Sequence, residues 1–325
     1  MLSVAPLARR LLAAALLMSL AACAPKSYMV KAPTASGLKY ELASGASSAQ
    51  LSFLDERKGE DRTFSSGTLP SDLMIEKGPL DPMQFLSQNV GAELASRGLP
   101  VKSASGDQGQ PKVHVKMFNV LNHRSSGFSP FFTFTYLSAD LETAKGTKRV
   151  AVFVRRGKVP VWSFDEVIDP TFNQPLSIAV KEFSAKVANY LYAYKASDAT
   201  VKELITKVSG PPTAEMYLDV YSLGFSNNPL AVPKLIELTS SSDEYVRLAA
   251  ISSLGNIGAT SQLSLLQSIY QKGDSSAQDK DMAIKAIADL GTPESQAFVS
   301  AELKRLSGNT DRATVFTTRL LALYL

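Results

Sequence analysis

The sequence predicts an α+β fold, an antiparallel sheet with helices on one face, followed by an all-α helical repeat. Three observations lead there. Between positions 38 and 164, apolar and polar residues alternate in short runs, the period of half-buried strands. Two longer segments, one inside that region and one just beyond it, carry apolar residues at helical spacing instead. Beyond Ser197 the period becomes 3.6 and stays so. The composition agrees. With 45% hydrophobic and 20% charged residues in 325, the chain has enough apolar surface for a core, which excludes whole-chain disorder. No run of about 20 apolar residues follows the first two dozen positions, which excludes a polytopic membrane protein.

The chain opens with Arg9-Arg10 and then a short apolar stretch from Leu11 to Leu20, the pattern of a secretory leader. That stretch ends in Leu20-Ala21-Ala22-Cys23, and Cys23 is the only cysteine of the chain. The small residues followed by cysteine resemble the lipobox of bacterial lipoproteins. The resemblance implies a signal peptide over 1–22, cleavage before Cys23, lipidation of Cys23 and attachment to the membrane through that lipid. Each buried CH₂ contributes about 0.8 kcal/mol, so stable anchoring takes two or three chains. Ala24, where enteric lipoproteins retained in the inner membrane carry Asp, implies delivery to the outer membrane, facing the periplasm. Residues 23–37 have the composition of a lipidated tether. Loss of Arg9 and Arg10 with the leader leaves 32 Lys and Arg against 30 Asp and Glu. That near balance gives no electrostatic reason to expect nucleic acid.

The α+β domain is expected over 38–196. Leu38–Leu42 and Leu51–Leu54 alternate as strands. Asp81 and Pro82 cap and open a helix that Gly98 closes. Further strands follow at Leu99–Ser103, Lys112–Leu121, Phe131–Leu141, Arg149–Arg155 and Val159–Phe164, with Arg156-Gly157 as a tight hairpin between the last two. A second helix spans Pro175–Lys195. In element order this unit resembles the YajG-like outer-membrane lipoproteins.

The all-α domain is expected over 197–325. Short helices at Asp198–Ser209 and Thr213–Phe225 precede a helix begun by Asn228-Pro229. Asp243-Glu-Tyr-Val-Arg247 then enters a helix with Ala249, Ala250 and Leu254-Gly255. This resembles a HEAT repeat. Asp243 caps and stands four residues before Arg247, a spacing that allows an ion pair. The alanines permit close helix approach, and Gly255 serves as the left-handed stop. A second copy reaches Leu290-Gly291, 36 residues later. Helices at Pro293–Leu306 and Asp311–Leu323 complete the stack, since a solenoid needs about three repeats to bury its faces.

The residues offer little chemistry. His114 lies between Val113 and Val115 and points to the opposite strand face; His123 sits in a loop beside Asn122. Neither has a partner at metal-ligand spacing, and no metal or cofactor is expected. Ser129 lies in a loop, not a nucleophile elbow. Glu76 with Asp81, or Asp165, Glu166 and Asp169, are candidate carboxylate pairs that read more simply as surface acids. Phe128 to Tyr136 holds five aromatics, with Phe132, Phe134 and Tyr136 on one strand face, either core or a partner- or lipid-facing edge. Lys145, Lys148, Arg149, Arg155, Arg156 and Lys158 gather at the ends of one hairpin, where anionic polymer or headgroups are one reading and a solvated end the other. The function expected is a non-enzymatic, lipid-anchored, periplasm-facing scaffold or docking module in envelope assembly or maintenance. Its partner is another envelope protein, held by the concave face of the helical repeat. The alternatives are an envelope hydrolase, or a binder of glycan or amphiphile through the sheet face.

Overall fold

A computed structural model describes residues 26–41, 49–68, 71–76, 78–99, 101–105, 111–124, 126, 129–144, 146–159 and 168–325. The leader, Cys23, Phe128, Lys145, Asp165 and Glu166 lie outside the described residues. Nine strands and ten α-helices are described. The strands are β1 (Lys26–Val30), β2 (Ala49–Asp55), β3 (Ser65–Gly67), β4 (Ser71–Ile75), β5 (Gly78–Pro79), β6 (Val101–Ser105), β7 (Lys112–His123), β8 (Phe131–Thr143) and β9 (Gly146–Val159). Helices α1 (Pro82–Ser96) and α2 (Gln174–Tyr192) belong to the same half. The remaining helices are α3 (Asp198–Val208), α4 (Met216–Phe225), α5 (Val232–Leu238), α6 (Glu244–Asn256), α7 (Leu263–Gln271), α8 (Ala277–Leu290), α9 (Pro293–Leu306) and α10 (Arg312–Ala322).

The main sheet runs β6-β2-β7-β8-β9, with β3 also paired to β7. The long strands β7, β8 and β9 are antiparallel as expected, but β2 and β3 join in parallel, so the sheet is mixed. Leu38–Leu42 makes only a bridge, Tyr40 to Ala196. Residues 26–30, read as tether, form β1 and pair in parallel with β4. The Arg156-Gly157 hairpin does not form: β9 runs unbroken through both, and the reversal lies between Thr143 and Gly146. Gly157 serves packing instead, because a Cβ there would fall 2.4 Å from the Phe132 ring.

Local signals act where they were read. The Asp81 carboxylate accepts from the Gln84 N–H at 2.8 Å and begins α1. The Phe53, Val113, Val115, Phe118, Val152 and Val154 side chains are buried. Phe53 meets Phe183 of α2, and Phe118 meets Phe85 of α1, which places both helices over one sheet face.

Residues 198–322 form four antiparallel helix pairs, α3/α4, α5/α6, α7/α8 and α9/α10. The second helices stack in a row, α4 on α6 on α8 on α10. Ala249 and Ala250 are buried as expected. Asp243 caps α6 by accepting from the Val246 N–H at 3.0 Å. Two readings need correction. Arg247 does not pair with Asp243; its Nε donates to Asp279 in α8 at 2.9 Å, tying one repeat to the next. Gly255 is not the stop. It lies inside α6, and a Cβ there would fall 2.4 Å from Ala286 Cα and 2.6 Å from its carbonyl oxygen. Gly258, with φ of 72°, takes the left-handed position. Gly255→Ala is therefore expected to destabilise by about 1–3 kcal/mol, as overpacked cores do. Gly273→Ala meets nothing within 4 Å and should leave the urea midpoint unchanged or slightly raised. Equal midpoints for the two variants would remove the close-contact argument.

Candidate functional site

The row of second helices does not face solvent. It lies against the sheet and α2, so the surface assigned to a partner is covered by the chain's own first half. From α10, Phe316 packs tilted against Phe134 with centroids 4.5 Å apart, and the Arg319 guanidinium sits 5.0 Å over the Tyr136 ring. Phe134 and Tyr136 are thereby buried, which takes away the sheet face on which a glycan or amphiphile was to bind. From α8, Asp281 pairs with Arg155. From α4 and α6, the Tyr217 and Tyr245 rings hold the Arg156 guanidinium at 4.4 and 3.7 Å. Burial first of all pushes the Tyr217 hydroxyl up to about 12. The Tyr245 hydroxyl donates to the Gly157 carbonyl.

The basic cluster is thus not a hairpin end. Arg149 pairs with Asp140 at 2.6 Å and donates to the Leu323 carbonyl at 3.3 Å. Arg155 and Arg156 are committed to the helices as described. Only Lys148 stays exposed without an ion pair among the described residues, while Lys145 and the side chain of Lys158 lie outside them.

At the centre of the contact four charges meet, three of them out of water and the fourth, Lys186, at its edge. Glu182 and Lys186 are one turn apart on α2; Lys285 and Asp289 are one turn apart on α8. Lys285 Nζ lies 2.6 Å from Glu182 Oε1 and 2.8 Å from Asp289 Oδ2, and it donates to Ser252 Oγ at 2.8 Å. Lys186 Nζ lies 2.7 Å from Glu182, 2.6 Å from Asp289, and donates to the Ala151 carbonyl at 2.6 Å. The Tyr324 hydroxyl donates to Asp289 Oδ1 at 2.8 Å. Two ammonium groups thus balance two carboxylates. Burial opposes the charge on Lys285, but Asp289 and Glu182 outweigh it and raise its pKa. Burial also opposes the charge on Asp289, yet Lys186 and Lys285 hold its carboxyl below the ordinary range. A group locked this way orders helices.

Beside this cluster a groove of about 780 Å³ opens between residues 147–151 of β9, the end of α2, and the α8–α9 turn. Lys148, Arg149 and Lys186 contribute three cations to its lining against one carboxylate, Asp289. Strand β9 is the last in the sheet order, so its outer edge faces away from β8.

The other sequence candidates are dispersed. His114 bridges Glu56 at 2.6 Å and Glu142 at 2.9 Å across the sheet. The His123 imidazole lies 3.1 Å from the Arg312 guanidinium, and burial followed by that neighbouring charge lowers its pKa. Ser126 and Ser129 bond each other at 2.7 Å. Asp81 is a helix cap, Glu76 holds a positive φ of 52°, and Asp169 accepts from Asn173 at 2.9 Å. Among the described residues, no three His, Cys, Asp or Glu side chains gather for a metal ion. None of their helices is long and apolar enough to cross a membrane. The charge square went unread in the sequence. Its signal was two charge pairs four residues apart, Glu182/Lys186 and Lys285/Asp289, each an ordinary surface motif alone.

A family model described as HEAT repeats matches residues 220–279, from within α4 to the first turn of α8. No curated protein matches the chain. The C-terminal helices are HEAT-like repeats, and repeats of this type suggest a protein–protein interaction scaffold.

Proposed function

We propose that this chain is a non-enzymatic docking module, held by lipid on Cys23 at the periplasmic face of the outer membrane and acting in envelope assembly or maintenance. The lipobox-like segment supports the anchor, and the HEAT-like repeats support a protein partner. The observation that carries the docking role is the junction between the halves. A repeat clamped to a sheet by a largely buried group of four charges presents one fixed surface, and a preformed surface binds without the cost of ordering itself. With the aromatic sheet face filled by α10, the glycan- or amphiphile-binding alternative has lost its surface.

Cys23→Ser tests the anchor. Metabolic labelling with a fatty-acid analogue should mark the natural chain and not the variant, and the variant should keep its leader uncleaved before position 23. Equal label on both chains would overturn the anchor.

A further inference from the structure

The edge of β9 has a direction that two side-chain contacts reveal. The Ala151 carbonyl accepts from Lys186 and the Gly157 carbonyl accepts from Tyr245, neither of which lies on β8. In an antiparallel ladder, alternate residues turn both backbone groups to the same side. Odd-numbered residues of β9 therefore point N–H and C=O outward. Further along the strand those outward groups meet α2 and the repeat. At Thr147 and Arg149 they meet the groove, and neither makes an outward backbone bond among the described residues.

One charge of the groove has no ion pair among the described residues. Lys148 stands exposed at the rim, while Arg149 and Lys186 already have carboxylate partners.

We propose that an extended segment of a partner protein, carrying an acidic side chain, adds to the outer edge of β9 at residues 147–151. Its backbone pairs with Thr147 and Arg149, as in strand addition to an exposed sheet edge. A carboxylate of the segment meets Lys148. A volume of about 780 Å³ is within the range of ligand sites. This deepens the docking reading and rests on it, by naming the surface and the form of the partner.

Random twelve-residue peptides displayed on phage, panned against the full chain, test the proposal. The enriched peptides should share an Asp or Glu in fixed register with β-forming residues. A synthetic copy of one should slow amide exchange at Thr147 and Arg149. Lys148→Glu should weaken that peptide about tenfold or more. Thr147→Pro, which removes an outward N–H that β8 does not use, should abolish binding with the melting temperature unchanged. No enrichment, peptides without acidic preference, or peptides indifferent to both variants would overturn the groove. If Thr147→Pro lowers the melting temperature, Lys148→Glu and the exchange pattern still decide. Loss of the Cys23 label result with the peptide results intact would sink the anchor and leave this surface standing; the reverse would sink the surface alone.

Discussion

Lys285→Met is expected to destabilise the chain by about 3–5 kcal/mol, because it strands two carboxylates against the single ammonium of Lys186 out of water. Glu182 and Asp289 are each at most 2% exposed in their side chains, and Lys285 is fully enclosed. The double variant Lys285→Met, Glu182→Gln removes one charge of each sign and should regain a large part of the loss. Urea unfolding of both variants and the natural chain gives the comparison. A double variant no better than Lys285→Met would mean that the charges do not act as one unit. The pH dependence has a defined sign. Asp289 has a lowered pKa, so its contribution is present above the ordinary value of 3.8 and disappears as acid carries the pH through the folded value. Lys285 has a raised pKa, so its contribution is complete below 10.5 and disappears as alkali carries the pH through the folded value.

Arg97→Met should cost a similar amount, about 3–5 kcal/mol, through a second buried charge. The guanidinium is wholly enclosed. Its Nε donates to Glu93 at 2.7 Å, its Nη2 to the Lys181 carbonyl at 2.9 Å, and its Nη1 to the Tyr40 hydroxyl. That hydroxyl donates in turn to the Phe225 carbonyl at 2.6 Å, at the end of α4. One side chain therefore joins α1, α2, the segment at Tyr40 and the first repeat pair. Ser36 also bonds Glu93, through its hydroxyl and through its N–H at 2.9 Å. Arg97→Lys keeps a charge but not the planar fork, so it should recover little. A melting temperature for Arg97→Lys equal to that of the natural chain would show that charge alone suffices.

The parts of this fold that were legible in the sequence are the parts decided within a few residues. Asp81-Pro82 and Asp243 begin helices because a cap needs only its own next turn. The 3.6 period after Ser197 is likewise local, and it carried the repeat. What escaped was every feature decided by a distant segment. Arg156-Gly157 reads as a turn until Phe132 is known to lie over Gly157. Gly255 reads as a helix stop until Ala286 is found against it. Arg247 finds Asp279 across the repeat rather than Asp243 beside it. Glu182/Lys186 and Lys285/Asp289 were visible as two pairs, yet nothing in either segment announces that each exists to neutralise the other. The docking groove was illegible for the same reason: its walls come from β9, α2 and the α8–α9 turn.

The cover that α10 places on the sheet carries an implication for how the chain is made. Arg319 reaches Asp61, a residue 258 positions earlier, at 3.3 Å. Synthesis delivers the sheet first and its lid last. For most of that interval Phe134 and Tyr136 have no Phe316 or Arg319 above them, and a bare aromatic strand face is a surface on which nascent chains stick to one another. The first half of this protein therefore carries that exposed surface until α10 emerges. A nonsense mutation near Arg312 would remove α10 and leave that face permanently unroofed.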